Sequence, residues 1–162
     1  MAYRSVRNSI EISKSATEIY NYLGNSNNAS HWSVYVDHIT TLNADKIPEG
    51  TVGSTRRCFK NQNEQGIVWD EDITETIPNV KRQLSIYNAK EFPIMADGLL
   101  TEQLYEPIND SITILTFTLF HKDANPTIWT VIKFHVAAYV VSSVFNRNLK
   151  NIKQYVENGN LQ

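Results

Sequence analysis

Near its C-terminal end the chain runs from Thr127 to Glu157 without a single glycine or proline, as TIWTVIKFHVAAYVVSSVFNRNLKNIKQYVE. Asn125 can cap such a segment and Pro126 suits its first position, while Gly159 stands where a helix stops. Phe134, Ala138, Val141, Phe145, Leu149, Ile152 and Val156 recur at steps of three and four, and so share one helical face. A helix of about 31 residues spans roughly 46 Å at 1.5 Å per residue. That is too long for one helix among equals in a 162-residue chain, so it needs a broad apolar surface to lie on. Arg147, Lys150 and Lys153 point away from the apolar face in the second half. The first half is apolar almost all round, which predicts cover on more than one side. Ser142 and Ser143 are where a bend is expected, since both hydroxyls can bond back to helix carbonyls.

The preceding chain supplies strands. Val6 to Ile12 alternates as a strand. Ser15 and Glu18 then stand at capping-box spacing, opening a short helix that Gly24 ends. A polar cluster follows and can cap a second short helix stopping near Trp32. Further strands are expected over Val34–Leu42, Thr55–Lys60, Ile67–Ile77, Arg82–Tyr87, Leu99–Tyr105 and Ser111–His121. Short polar turns join them, among them NQNEQG and Pro78–Asn79, while KEFPIMADG loops between two of them. Such an order implies an antiparallel meander, with the long helix packed on its concave face. The predicted organisation is one α+β domain over residues 1–162, with no internal repeat or linker.

Composition removes several function classes. A net charge of −2, with acids and bases interspersed, leaves no basic stripe for nucleic acid. The lone Cys58 allows no internal disulfide and fits a reducing compartment. The first residues lack an apolar signal core, and Lys133 and His135 interrupt the most apolar run, so stable membrane insertion is not expected. A cytoplasmic location follows as the expectation. His31, His38, His121 and His135 show no metal-ligand spacing, and no cofactor fingerprint occurs.

Four stretches, IEISKSATEIYNYL, NASHWSVYV, EGTVGSTRR and FNRNLKNIKQYVE, together resemble the START-like, or SRPBCC, superfamily, and within it the polyketide cyclase/dehydrase and lipid-transport group. The match runs in order along the whole chain. Ser15 stands where that family commonly has proline, which touches helix capping only. The resemblance implies a helix-grip fold: a seven-stranded antiparallel sheet wrapped around the long C-terminal helix, two short helices after the first strand, and a cavity between sheet and helix. It also implies a hydrophobic small molecule as ligand, without implying catalysis.

Candidate site residues come from the alternation. Trp69 and Glu71 share a strand face, and the hairpin sets Arg56–Arg57 beside them, with one arginine on that face. Either Arg56 or Arg57 fits, because a one-residue slip exchanges them. Glu71 is then a polar anchor for a ligand or one half of a rim salt bridge. His135 and Tyr139, one helical turn apart, form a candidate acid/base pair or a packed helix surface. Trp32, Trp69, Phe117 and Trp129 are the large aromatics expected on the cavity wall together with His135 and Tyr139. Three functions are open on this evidence: a carrier or sensor of a lipid, polyketide-like or isoprenoid molecule; a cyclase, aromatase or dehydrase using His135, Glu71 or Tyr139; and an interaction module, with a homodimer among its forms, built on the apolar half of the helix.

Overall fold

The computed structural model describes residues 3–92, 96, 98–121 and 127–159, with side chains from residue 6 onward. Seven strands form one antiparallel sheet: β1 (Tyr3–Ile12), β2 (His38–Thr41), β3 (Thr55–Phe59), β4 (Val68–Ile77), β5 (Lys81–Lys90), β6 (Leu99–Asn109) and β7 (Ile112–His121). Their order across the sheet is β1-β7-β6-β5-β4-β3-β2. Strands β2 to β7 are a meander, and β1 closes onto β7 at the far edge.

Between β1 and β2 the chain must pass from one edge to the other, and it does so through α1 (Ala16–Gly24), a 3-10 turn (Ser26–Asn28) and α2 (Ala29–Trp32). The capping box forms as its spacing requires. Ser15 Oγ accepts from the Glu18 amide at 3.3 Å, and Glu18 Oε2 accepts from the Ser15 amide at 3.0 Å. Ile19, Tyr22 and Leu23 are buried beneath α1.

Helix α3 (Ile128–Glu157) is continuous through Ser142 and Ser143. Ser142 Oγ donates to Asn8 Oδ1 of β1 at 3.3 Å and accepts from Asn8 Nδ2 at 3.2 Å, in place of the expected bend. The expected caps Asn125 and Pro126 lie outside the described residues; the N-cap is Thr127, whose side chain accepts from the Thr130 amide. Phe134, Ala138, Phe145, Leu149, Ile152 and Val156 are buried, and Val141 is partly buried against the same core. Two buried or half-buried asparagines lock the helix to the α2–β2 connection. Asn148 Oδ1 accepts from the Val34 amide at 2.9 Å, and Asn151 Nδ2 donates to the Trp32 carbonyl at 3.1 Å.

Three expectations need correction. The first half of α3 is covered on one side only: Trp129 is 70% exposed and Tyr139 84%, with Ile128, Ile132 and Val136 also open. Strand β2 is four residues, not Val34–Leu42, because the Val34 amide goes to α3 and Tyr35 turns on Ser33. On β4 the period-two face holds only as far as Ile73; a bulge before Glu75 reverses it and leaves Ile77 exposed.

The outer face of β3–β4 carries a well-satisfied ion pair. Arg57 donates to both oxygens of Asp70, at 2.7 and 3.0 Å, and Asn88 Nδ2 adds a third bond at 2.9 Å. Burial alone would raise the Asp70 pKa, but these bonds outweigh it and hold the carboxyl below the usual aspartate value. A depressed folded-state pKa stabilises the fold above the unfolded-state value and is lost as pH falls through the folded one. Urea midpoints should therefore drop between about pH 5 and pH 2, and Asp70→Asn should flatten that part of the profile.

Candidate functional site

The β3–β4 hairpin sets Arg56 opposite Glu71 and Cys58 opposite Trp69. With side chains alternating along each strand, Arg56, Cys58, Trp69 and Glu71 point to the concave face, and Arg57 and Asp70 to the outer one. Arg56 is thus the arginine that faces inward. Its Nε and Nη2 donate to Glu71 Oε2 at 2.9 and 2.8 Å, while Trp69 Nε1 donates to Glu71 Oε1 at 2.9 Å. Arg56 Nη1 also reaches Ser26 Oγ at 3.5 Å. Burial disfavours the Arg56 charge, yet Glu71 overrides this and raises its pKa. Burial first, and the negative Glu71 beside it, push the Cys58 thiol well above its ordinary range, so it is a packed side chain rather than a nucleophile.

Between this wall, α2 and α3 lies a cavity of about 150 Å³. Trp32, Trp69, Phe92, Phe117, Leu119 and Phe145 are among its apolar lining, and Arg56, Glu71, Gln103 and Asn148 among its polar groups. The rings meet edge to face: Trp69 on Phe92 at 5.2 Å, Trp32 on Phe117 at 6.3 Å and Phe117 on Phe145 at 5.5 Å. A wall of this kind holds its shape, because rigid rings in mutual contact do not collapse into the space.

Of the side chains expected here, Trp32, Arg56, Trp69, Glu71 and Phe117 do line the cavity. Trp129, His135 and Tyr139 do not. They follow the buried face of α3 out of phase and project to its exposed side, where His135 Nδ1 lies 2.8 Å from its own helix, at the Val131 carbonyl. His135 and Tyr139, expected as a candidate acid/base pair on the cavity wall, therefore do not face the cavity. From α3 the cavity takes Val140, Val141, Val144 and Phe145 instead. Phe92, Ala96 and Gln103 are additions that the sequence reading missed. Gln103 was within reach, since β6 alternation places it on the face of Leu99 and Tyr105.

This architecture is a helix-grip α+β fold. No protein-family model and no curated protein matches the sequence, and the likeness to known proteins is one of fold. The fold resembles the di-domain aromatase/cyclase BexL with a TM-score of 0.70 at 13% identity, over 94% of this chain and 46% of that one. It resembles norcoclaurine synthase from Thalictrum flavum, solved with dopamine and hydroxybenzaldehyde, with a TM-score of 0.65 at 11% identity, over 98% and 89% of the two chains. It also resembles the Aha1 dimer from Colwellia psychrerythraea, with a TM-score of 0.63 at 19% identity, over 95% and 96%.

Proposed function

We propose that this protein binds an apolar small molecule in the cavity between sheet and helix, as a carrier or sensor working in the cytoplasm. The observation that carries this reading is an aromatic-walled space of about 150 Å³ whose inward ion pair is already self-satisfied. Both Glu71 oxygens are engaged by Arg56 and Trp69, so Glu71 is not poised as a free base. Those facts favour binding over the cyclase or dehydrase alternative. A lipid, a polyketide-like polycycle and an isoprenoid are the ligand classes that suit such a wall.

Mass spectrometry of small molecules released from gently purified protein tests the reading directly. In parallel, a naphthalene-type fluorescent probe at a hundred times its Kd should stabilise the fold by about 2.7 kcal/mol and raise its melting temperature. Phe117→Trp should weaken the probe while leaving the protein folded. Absence of both a copurified molecule and probe binding would sink the proposal.

The exposed side of α3 favours a second role as a contact for another copy of this chain. Trp129, Ile132, Val136, Tyr139 and Ser143 repeat at alternating steps of three and four, the narrow seam of a helix pair. Sedimentation should then show a dimer that Val136→Glu dissociates; a wild-type monomer at tens of micromolar, roughly the range where weak pairs still form, rules this out.

A further inference from the structure

Gln103, unlike the paired Arg56 and Glu71, has hydrogen-bonding capacity to spare on the cavity wall, as do the Trp32 indole nitrogen and the Asn148 amide nitrogen. It sits opposite Arg82 on the neighbouring strand, and it is only 7% exposed. Its Oε1 accepts from Arg82 Nη1 at 3.3 Å and from Tyr105 Oη at 2.7 Å. The orientation of the amide is forced. A guanidinium can only donate, so the atom turned toward Arg82 must be the oxygen. Arg82 is itself fixed on its far side, where Nη2 donates to the Tyr20 carbonyl at 3.4 Å and the guanidinium carbon stands 4.3 Å from the centre of the Tyr20 ring. Among the described residues no carboxylate pairs with this buried arginine.

Two consequences follow for the other end of the amide. The nitrogen, with two N–H donors, bonds to no described protein group. The cation behind the carbonyl also polarises the amide and strengthens those donors, as happens along chains of hydrogen bonds in a low-dielectric interior. Glu71 and Arg56 satisfy each other; Gln103 is left with donors facing an apolar space.

We propose that Gln103 Nε2 anchors an oxygen acceptor on the guest, so that the cavity selects apolar molecules bearing a carbonyl (ketone, ester or acid) over plain hydrocarbons and amines. Arg82 and Tyr105 are positioning residues that hold the amide in the donating orientation. A protonated amine has no acceptor to offer and would bring donors against donors, with a cation behind them. This inference rests on the reading of the cavity as a binding site for an apolar guest.

The test compares 2-acetylnaphthalene with 2-ethylnaphthalene, which share a two-ring skeleton and differ in the carbonyl. Wild-type protein should bind the ketone about tenfold more tightly, the worth of one good hydrogen bond. Gln103→Glu keeps the acceptor for Arg82 and Tyr105 but removes both donors, and should abolish that preference while still binding the hydrocarbon. Gln103→Leu serves the same purpose without the added carboxylate. In NMR spectra, the side-chain amide resonances of Gln103 should move with the ketone and stay put with the hydrocarbon. Equal binding of the two probes to wild type overturns the Gln103 anchor and leaves the cavity reading intact. A preference that survives both substitutions overturns it as well. Failure of both probes to bind removes the cavity reading, and the anchor with it.

Discussion

Replacing Phe145 with alanine should lower the free energy of unfolding by about 3–5 kcal/mol. Phe145 is 8% exposed, stands edge to face on Phe117, and sits where the core of α3 meets the cavity. Truncation enlarges the cavity beside Phe145 and removes its edge-to-face contact with Phe117, so the cost includes a cavity term as well as lost burial. For a chain of this size each kcal/mol lowers the melting temperature by about 2–4 °C, so the shift is large enough to read by any thermal method. The check is a urea titration at constant m-value. A loss below about 1 kcal/mol would mean that the helical phase assigned to α3 is wrong.

The second large effect concerns the inward ion pair. Glu71→Leu should cost on the order of 3–5 kcal/mol, because it strands the Arg56 guanidinium in a nearly closed site. The double variant Arg56→Met with Glu71→Leu should recover much of that loss, since two apolar side chains can replace a buried pair at little net cost. The double-mutant cycle, read by denaturant midpoints, separates the two cases: additive losses would show that the pair makes no coupled contribution. A recovered double variant also bears on binding. If it still takes up a naphthalene probe, the pair shapes the wall without recognising the guest.

Much of this architecture is legible in the chain. The spacing of Ser15 and Glu18 announces α1, and the recurrence from Phe134 to Val156 gives the buried face of α3 correctly. The pairing of Trp69 with Glu71 follows from period two alone, and the structure resolves the choice of arginine through the register Arg56 to Glu71. What the sequence hides has physical reasons. Apolar residues on the exposed side of α3 carry the same signal as those in the core, so Trp129 and Tyr139 look like cavity residues until the helix is placed. The one-turn spacing of His135 and Tyr139 suggests a shared cavity wall, but His135 adjoins Phe134 at about 100° around the axis and falls off the buried face. Bulges such as the one after Ile73 leave little trace in composition, and they reverse every face that follows. Alternation along β6 places Gln103 inward, but a lone polar residue in a strand gives no sign that Arg82 and Tyr105 both bond its amide oxygen.

The placement of β1 sets the order of events during folding. It is the first of the described strands, yet among the described residues its only neighbour in the sheet is β7, with partners such as Ile12 and Thr113 more than a hundred residues apart. The meander from β2 to β7 can form hairpin by hairpin through local turns, while β1 has nothing to pair with until β7 exists. Closing so long a loop is entropically costly before any contact rewards it. Folding therefore belongs to the slower class governed by distant pairings, on the order of milliseconds to seconds. On the ribosome, β1 would wait exposed until β7 has followed it, and that wait is when its unpaired edge is most open to a chaperone or to a wrong partner.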